Sequence, residues 1–87
     1  MELPNQQVAA SFDEIADLLE LAGDNQFKIR AYRRAAEIVR SLDEPAAELL
    51  RRDQSAIPGI GEALRSKIWE MESEGRIEYL ERLRAQI

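Results

Sequence analysis

The sequence predicts an all-α fold, a compact bundle of four to five short helices with one glycine hairpin between two of them. Three observations carry this. Apolar residues recur at spacings of three and four through most of the chain. Gly23, Pro45 and Gly75 punctuate that pattern where helices start or stop. No stretch alternates apolar and polar in the manner of a strand.

The first helix is expected over about residues 5–22. Val8, Phe12, Ile15, Leu19 and Ala22 make its apolar stripe, which Leu18 and Leu21 widen. Asp13, Glu14, Asp17 and Glu20 form the solvated face, with Asn5 as a cap and Gly23 as the stop. Asp24 and Asn25 cap a second helix over about 26–41. Its apolar arc is broad, running through Phe27, Ile29, Ala31, Tyr32, Ala35, Ala36, Ile38 and Val39, and predicts packing against more than one neighbour. Arg30, Arg33, Arg34 and Arg40 lie on the opposite arc with Glu37. That arc reads either as a solvated face or as a strip that tracks phosphates. Lys28 points into the apolar arc one turn before Tyr32. It either snorkels from the helix end to water or forms a small anion pocket with the Tyr32 phenol.

Pro45 opens a short third helix, about 45–52, by fixing φ in its first turn. The fourth runs over about 61–74 with Ile60, Leu64, Ile68 and Met71 inward, and Gly75 stops it. Trp69 lies off that stripe, stacked by the Arg65 stem or offered as a contact surface. Lys67 stands at the stripe's edge, where it is either partly desolvated or a surface lysine paired with Glu70 three residues on. A fifth helix over about 77–85 turns Ile77, Leu80 and Leu83 inward.

The chain's 87 residues make one domain with a modest core. Without cysteine or histidine there are no disulfides, no usual zinc site and no Ser-His or Cys-His nucleophile pair. The amino terminus lacks the basic start and apolar block of a secretion signal, and apolar runs are too short for a membrane span. A cytoplasmic monomer is the expectation. Net charge is −5, unfavourable on average for a nucleic-acid binder. The charge is uneven, however. Residues 1–24 carry six acids and no base, while Lys28, Arg30, Arg33, Arg34 and Arg40 face Glu37 alone in 25–40, and a local patch can bind where the average repels.

The stretch with the most chemistry is Ile57-Pro58-Gly59-Ile60-Gly61, followed at once by a helical pattern. Glycines let another molecule approach the main chain, and the following helix offers unpaired N–H groups and its positive dipole end. That equipment suits a phosphate oxygen. The pattern resembles a helix-hairpin-helix, a non-sequence-specific DNA-binding motif. Two further segments extend the likeness: Gly23-Asp24-Asn25-Gln26-Phe27-Lys28-Ile29-Arg30-Ala31-Tyr32-Arg33-Arg34-Ala35-Ala36, and Glu74-Gly75-Arg76-Ile77 with Leu80-Glu81. Together they resemble the amino-terminal domain of family X, beta-like, DNA polymerases, in the bacterial and archaeal branch that also carries a metal-dependent phosphoesterase domain.

The resemblance implies binding to the 5′-phosphate side of gapped or nicked duplex DNA in base-excision repair, with a polymerase domain downstream. It implies phosphate contacts from Lys28 and Tyr32; the hairpin at Gly59, Ile60 and Gly61 with Arg65 behind it, and Arg30 and Arg33 of the arginine arc, are further expected phosphate contacts. It implies no tightly bound cofactor, but a Na+ or K+ site on the backbone carbonyls of Ser55, Ile57 and Ile60. In animal members a lysine in the post-hairpin helix forms a Schiff base with 5′-deoxyribose phosphate, and the matching residue is Lys67. Phe27, Ser55, Ala63 and Tyr79 stand where those members carry further cations, which thins the basic wall. Three functions follow as expectations: a DNA-gap-binding module, an active lyase through Lys67, or a protein-interaction module that has kept the fold and lost DNA.

Overall fold

A computed structural model describes residues 3–87. It is all-helical among those residues, with α1 Asn5–Leu21, α2 Gln26–Arg40, α3 Ala46–Arg52, α4 Glu62–Glu74 and α5 Glu78–Ala85. Every boundary lies within one residue of the sequence expectation. None of the described helices is long and apolar enough to cross a membrane.

α1 and α2 form the most extensive helix pair, with α5 packed on α1 and α3 on α4. Ala9 and Ala16 on α1, and Ala35 and Ala36 on α2, are fully buried, and such small side chains let helix axes approach. Phe12, Ile15, Leu19, Val39, Leu50 and Ile68 fill the centre. No described charged side chain is buried, and Tyr32, with its phenol at the core's edge, is the one described core residue that carries a side-chain polar atom.

The turn between α1 and α2 closes by glycine geometry. Gly23 adopts φ 70°, and the amides of Gly23 and Asp24 donate to the carbonyls of Glu20 and Leu19. Asn25 Oδ1 then accepts from the Phe27 amide at 2.7 Å and starts α2, as its sequence position predicts. Asn5 does not cap its own helix. Its side chain reaches across the fold instead. Nδ2 donates to Glu44 O and Oδ1 accepts from the Ala46 amide, both at 2.8 Å. Pro45 supplies no capping side chain to α3, so that amide takes the acceptor nearest in space. Asn5→Ala is expected to cost about 1–2 kcal/mol, the value of a cap plus one further hydrogen bond, read as a lower denaturation midpoint in urea at unchanged slope.

Two apolar expectations fail at one end of the bundle. Phe27 is 79% exposed and Leu21 75%, with Ala22 and Ala31 also exposed. Residues 20–28 are exposed without a break, so the α1–α2 turn and the helix ends beside it stand clear of the core. Periodicity reports which face a residue shares, not how far along the helix its neighbours extend.

Candidate nucleic-acid interface

α2, the start of α4 and α5 enclose a cleft of about 570 Å³. Lys28 and Tyr32 enter from α2, Gly61 to Leu64 and Lys67 from the hairpin and α4, and Tyr79 from α5. The fold therefore brings Lys28 and Tyr32 together with Gly61 and Lys67, two stretches well apart in the chain.

Tyrosines organise this cleft. Tyr32 is wedged edge-on against Phe12, with ring centroids 5.8 Å apart, and stacks with Tyr79 at 6.4 Å. Burial first, then the neighbouring Tyr79, pushes the Tyr32 phenol up to about 12, so it remains a neutral hydrogen-bond donor. Lys28 Nζ lies 5.4 Å from the Tyr79 ring centre. Lys67 Nζ lies 5.9 Å from that of Tyr32 and 5.2 Å from that of Tyr79. Both ammoniums thus sit within cation–π range of aromatic faces. Tyr79 is a cleft residue that the sequence marks only as a position lacking a cation; its one local signal is an aromatic beside the inward stripe of Ile77 and Leu80.

The two lysines are pushed in opposite directions. Polar contact with the Tyr79 hydroxyl raises Lys28 above the ordinary lysine value, with Asp24 adding to it. Partial burial lowers Lys67, the cationic Lys28 and Arg82 lower it further, and Glu70 opposes them. Of the two readings of Lys67, the desolvated one holds: no Lys67–Glu70 ion pair forms among the described residues. Glu70 Oε2 instead accepts from the Glu78 amide at 2.9 Å and caps α5. An unpaired helix-start amide competes for the carboxylate, and Lys67 is left to the rings.

The hairpin's two glycines have different reasons. Gly59 adopts φ 91°, and a Cβ there would stand 2.6 Å from Ile38 Cδ1. Gly61 has φ −84°, and a Cβ there would meet nothing within 4 Å. Ile57 and Ile60 bury their side chains in the core. The Ile57 carbonyl accepts from the Ile60 amide at 3.1 Å, while the Ile60 carbonyl lies 3.4 Å from Arg65 Nη1. Ser55 is exposed, its amide held by Asp53 Oδ1 at 2.9 Å.

Other candidates lie outside the cleft. Arg65 faces a shallow groove on the opposite side of α4 with Gln54, Ser66 and Trp69. It does not stack on Trp69. Arg51 from α3 does, 5.7 Å from the ring centre, because α3 packs directly on α4 and holds that guanidinium with Glu48 and Glu72. Trp69 is partly buried against the core. Half of the arginine strip is consumed. Arg33 pairs with Asp17 at 3.0 Å and Glu20 at 2.7 Å, and Arg40 with Asp13 at 2.7 Å. The acidic face of α1 thus neutralises much of the basic face of α2. Arg30 and Arg34 remain exposed without an ion pair among the described residues. Arg33→Ala is accordingly expected to change affinity for gapped DNA by less than about threefold and stability by under about 1 kcal/mol, measured by fluorescence titration and thermal melting.

A family model described as a helix-hairpin-helix domain matches residues 3–77. The chain is also 36% identical over 75 residues to the DNA polymerase/3′-5′ exonuclease PolX of Bacillus subtilis. That match covers 86% of this chain and 13% of the relative, so the chain spans a small part of the relative's length. The glycine hairpin between α3 and α4, the lysine-bearing cleft beside it and the extent of both matches agree: this chain belongs to the helix-hairpin-helix family, as a domain of the type that family X DNA polymerases carry.

Proposed function

We propose that the domain binds the 5′-phosphate side of gapped or nicked duplex DNA for a family X polymerase engaged in gap repair. The observation that carries this is the convergence of Lys28, Lys67 and the open backbone at Gly61 on one cleft. Two ammoniums and a helix start offer a doubly charged phosphate both charge and N–H donors. The protein's net negative charge then acts to repel intact duplex while the cleft holds a terminal phosphate. A one-nucleotide-gap duplex with a 5′-phosphate should bind at least about tenfold tighter than one with a 5′-hydroxyl, worth about 1.4 kcal/mol. Contact with two or three phosphates gives a log K against log salt slope of about −2 to −3. Equal affinity for the two ends, or binding indifferent to salt, would point instead to the protein-interaction module.

A second reading is favoured by the lowered Lys67. A lysine displaced toward its neutral amine attacks an aldehyde, whereas an ammonium has no lone pair to offer. On 5′-deoxyribose phosphate, the Lys67 amine would add to C1′ and lose water to give a Schiff base. Proton loss from C2′ and departure of the 3′-phosphate group would follow. Borohydride reduction reads this out as a covalent protein–DNA adduct that disappears with Lys67→Ala.

A further inference from the structure

The hairpin holds a cation of its own. Arg65 is anchored through its amide, which donates to Gly61 O at 2.9 Å. Its guanidinium Nη1 lies 3.4 Å from the Ile60 carbonyl. That distance is at the long end of hydrogen bonding, so the contact orients the planar fork without exhausting its five donors. Glu62 lines the same groove three residues earlier, yet no described carboxylate forms an ion pair with Arg65. Beside it, the space at Gly61 is open.

This arrangement does not fit a monovalent ion on the hairpin carbonyls. An ion on Ile60 O would stand beside a fixed positive charge and compete with Nη1 for the same oxygen. The Ile57 carbonyl already receives the Ile60 amide. We infer that the Arg65 guanidinium takes the place of Na+ or K+ at this hairpin and itself bridges the Ile60 carbonyl to a DNA backbone phosphate. A guanidinium suits that task, since one edge can face a carbonyl while the other presents two parallel N–H groups to phosphate oxygens. The bridge rests on the DNA-binding reading above. The exclusion of the ion does not.

The test compares potassium, sodium and tetramethylammonium chlorides at equal ionic strength, the last being too large for a carbonyl site. Wild-type affinity for a 5′-phosphorylated gapped duplex should vary less than about twofold among the three, because no ion is bound. Arg65→Ala should bind about tenfold more weakly, the loss of one charge-assisted contact. It should regain part of that loss in potassium or sodium but not in tetramethylammonium. Arg65→Lys, which keeps the charge and loses the fork, should fall between the two and stay indifferent to the salt. Wild-type binding several-fold weaker in tetramethylammonium overturns the inference, as does an Arg65→Ala variant that binds like wild type or gains no ion dependence. Melting of the free domain supplies a readout without DNA. An ion that binds only the folded state raises Tm. Equal wild-type Tm in the three salts supports exclusion, and a higher Tm in potassium or sodium refutes it. If no gapped duplex binds even at low salt, the DNA reading and the bridge fall together, while melting still decides whether Arg65 keeps the ion out.

Discussion

Gly59→Ala lowers Tm by about 10–20 °C, whereas Gly61→Ala, two residues on, lowers it by less than about 6 °C. The difference follows from backbone geometry. At φ 91°, a Cβ at position 59 is forced toward the carbonyl side, a cost of about 1–2 kcal/mol. It also meets Ile38 Cδ1 at 2.6 Å. That atom ends a flexible side chain, so Ile38 can turn aside, but an off-rotamer χ costs about 0.5–1.5 kcal/mol more. The total of about 2–3 kcal/mol is large for a domain of this size. At Gly61, φ is −84° and a methyl group enters open space, leaving only the modest preference for glycine over alanine at a helix start. Scanning calorimetry of the two single variants separates them. On the proposed function, DNA affinity shows the reverse sensitivity in the folded variants. Gly61→Ala keeps its fold and weakens phosphate approach, so an unchanged affinity there would remove the hairpin backbone from the binding account. Gly59 is thus a glycine for the fold, whereas on the proposed function the open space at Gly61 serves the close approach of a phosphate.

The helices were legible because each is written in its own residues. Gly23 and Gly75 end α1 and α4 with φ near 70°, a conformation that glycine adopts without a steric cost. Asn25 starts α2 by a bond to an amide two residues on, which local spacing anticipates. The gathering of Lys28, Tyr32 and Lys67 came from the resemblance, since nothing in the spacing of α2 and α4 says that they face each other. Three of the errors share one cause, apart from the exposed apolar residues around the α1–α2 turn. Asn5, Glu70 and Arg65 each had a sensible partner within their own helix, and each chose another. Asn5 went to α3, Glu70 to the α5 amide and Arg65 to the hairpin carbonyl. A free backbone donor or acceptor, once folding brings it near, outbids an exposed neighbour worth only about 0.2–0.5 kcal/mol. Arg33 shows the same on the level of charge. Its strip looked basic because the acids that neutralise it lie on the preceding helix.

Lys28→Ala and Lys67→Met are expected to break different functions of one cleft. Lys28, held above the ordinary lysine value, remains an ammonium at any physiological pH and serves as an anion holder. Its loss removes one charge-assisted contact to phosphate, about 1.5–3 kcal/mol, so affinity for the 5′-phosphorylated gap falls about 10- to 150-fold and the preference over a 5′-hydroxyl collapses. Lys67 is lowered, so its amine fraction at a given pH exceeds that of a free lysine. Lys67→Met abolishes borohydride trapping and, by removing one of the cleft's two ammoniums, also weakens phosphate discrimination, though less than Lys28→Ala does. The trapping rate should rise with pH about a midpoint lower than that of an ordinary lysine, as the ammonium gives up its proton. Stability has the same sign. A lysine lowered in the folded state binds fewer protons there than in the unfolded chain. Its charge therefore costs stability below the lowered value, and that cost fades as pH rises through it. Methionine removes the desolvated charge but also its attraction to the Tyr32 and Tyr79 rings, so Tm at neutral pH should shift by no more than about 3 °C. A folded Lys67→Met variant that still traps, or a trapping profile with the midpoint of an ordinary lysine, would take the nucleophile away from Lys67 and leave the cleft a phosphate holder alone.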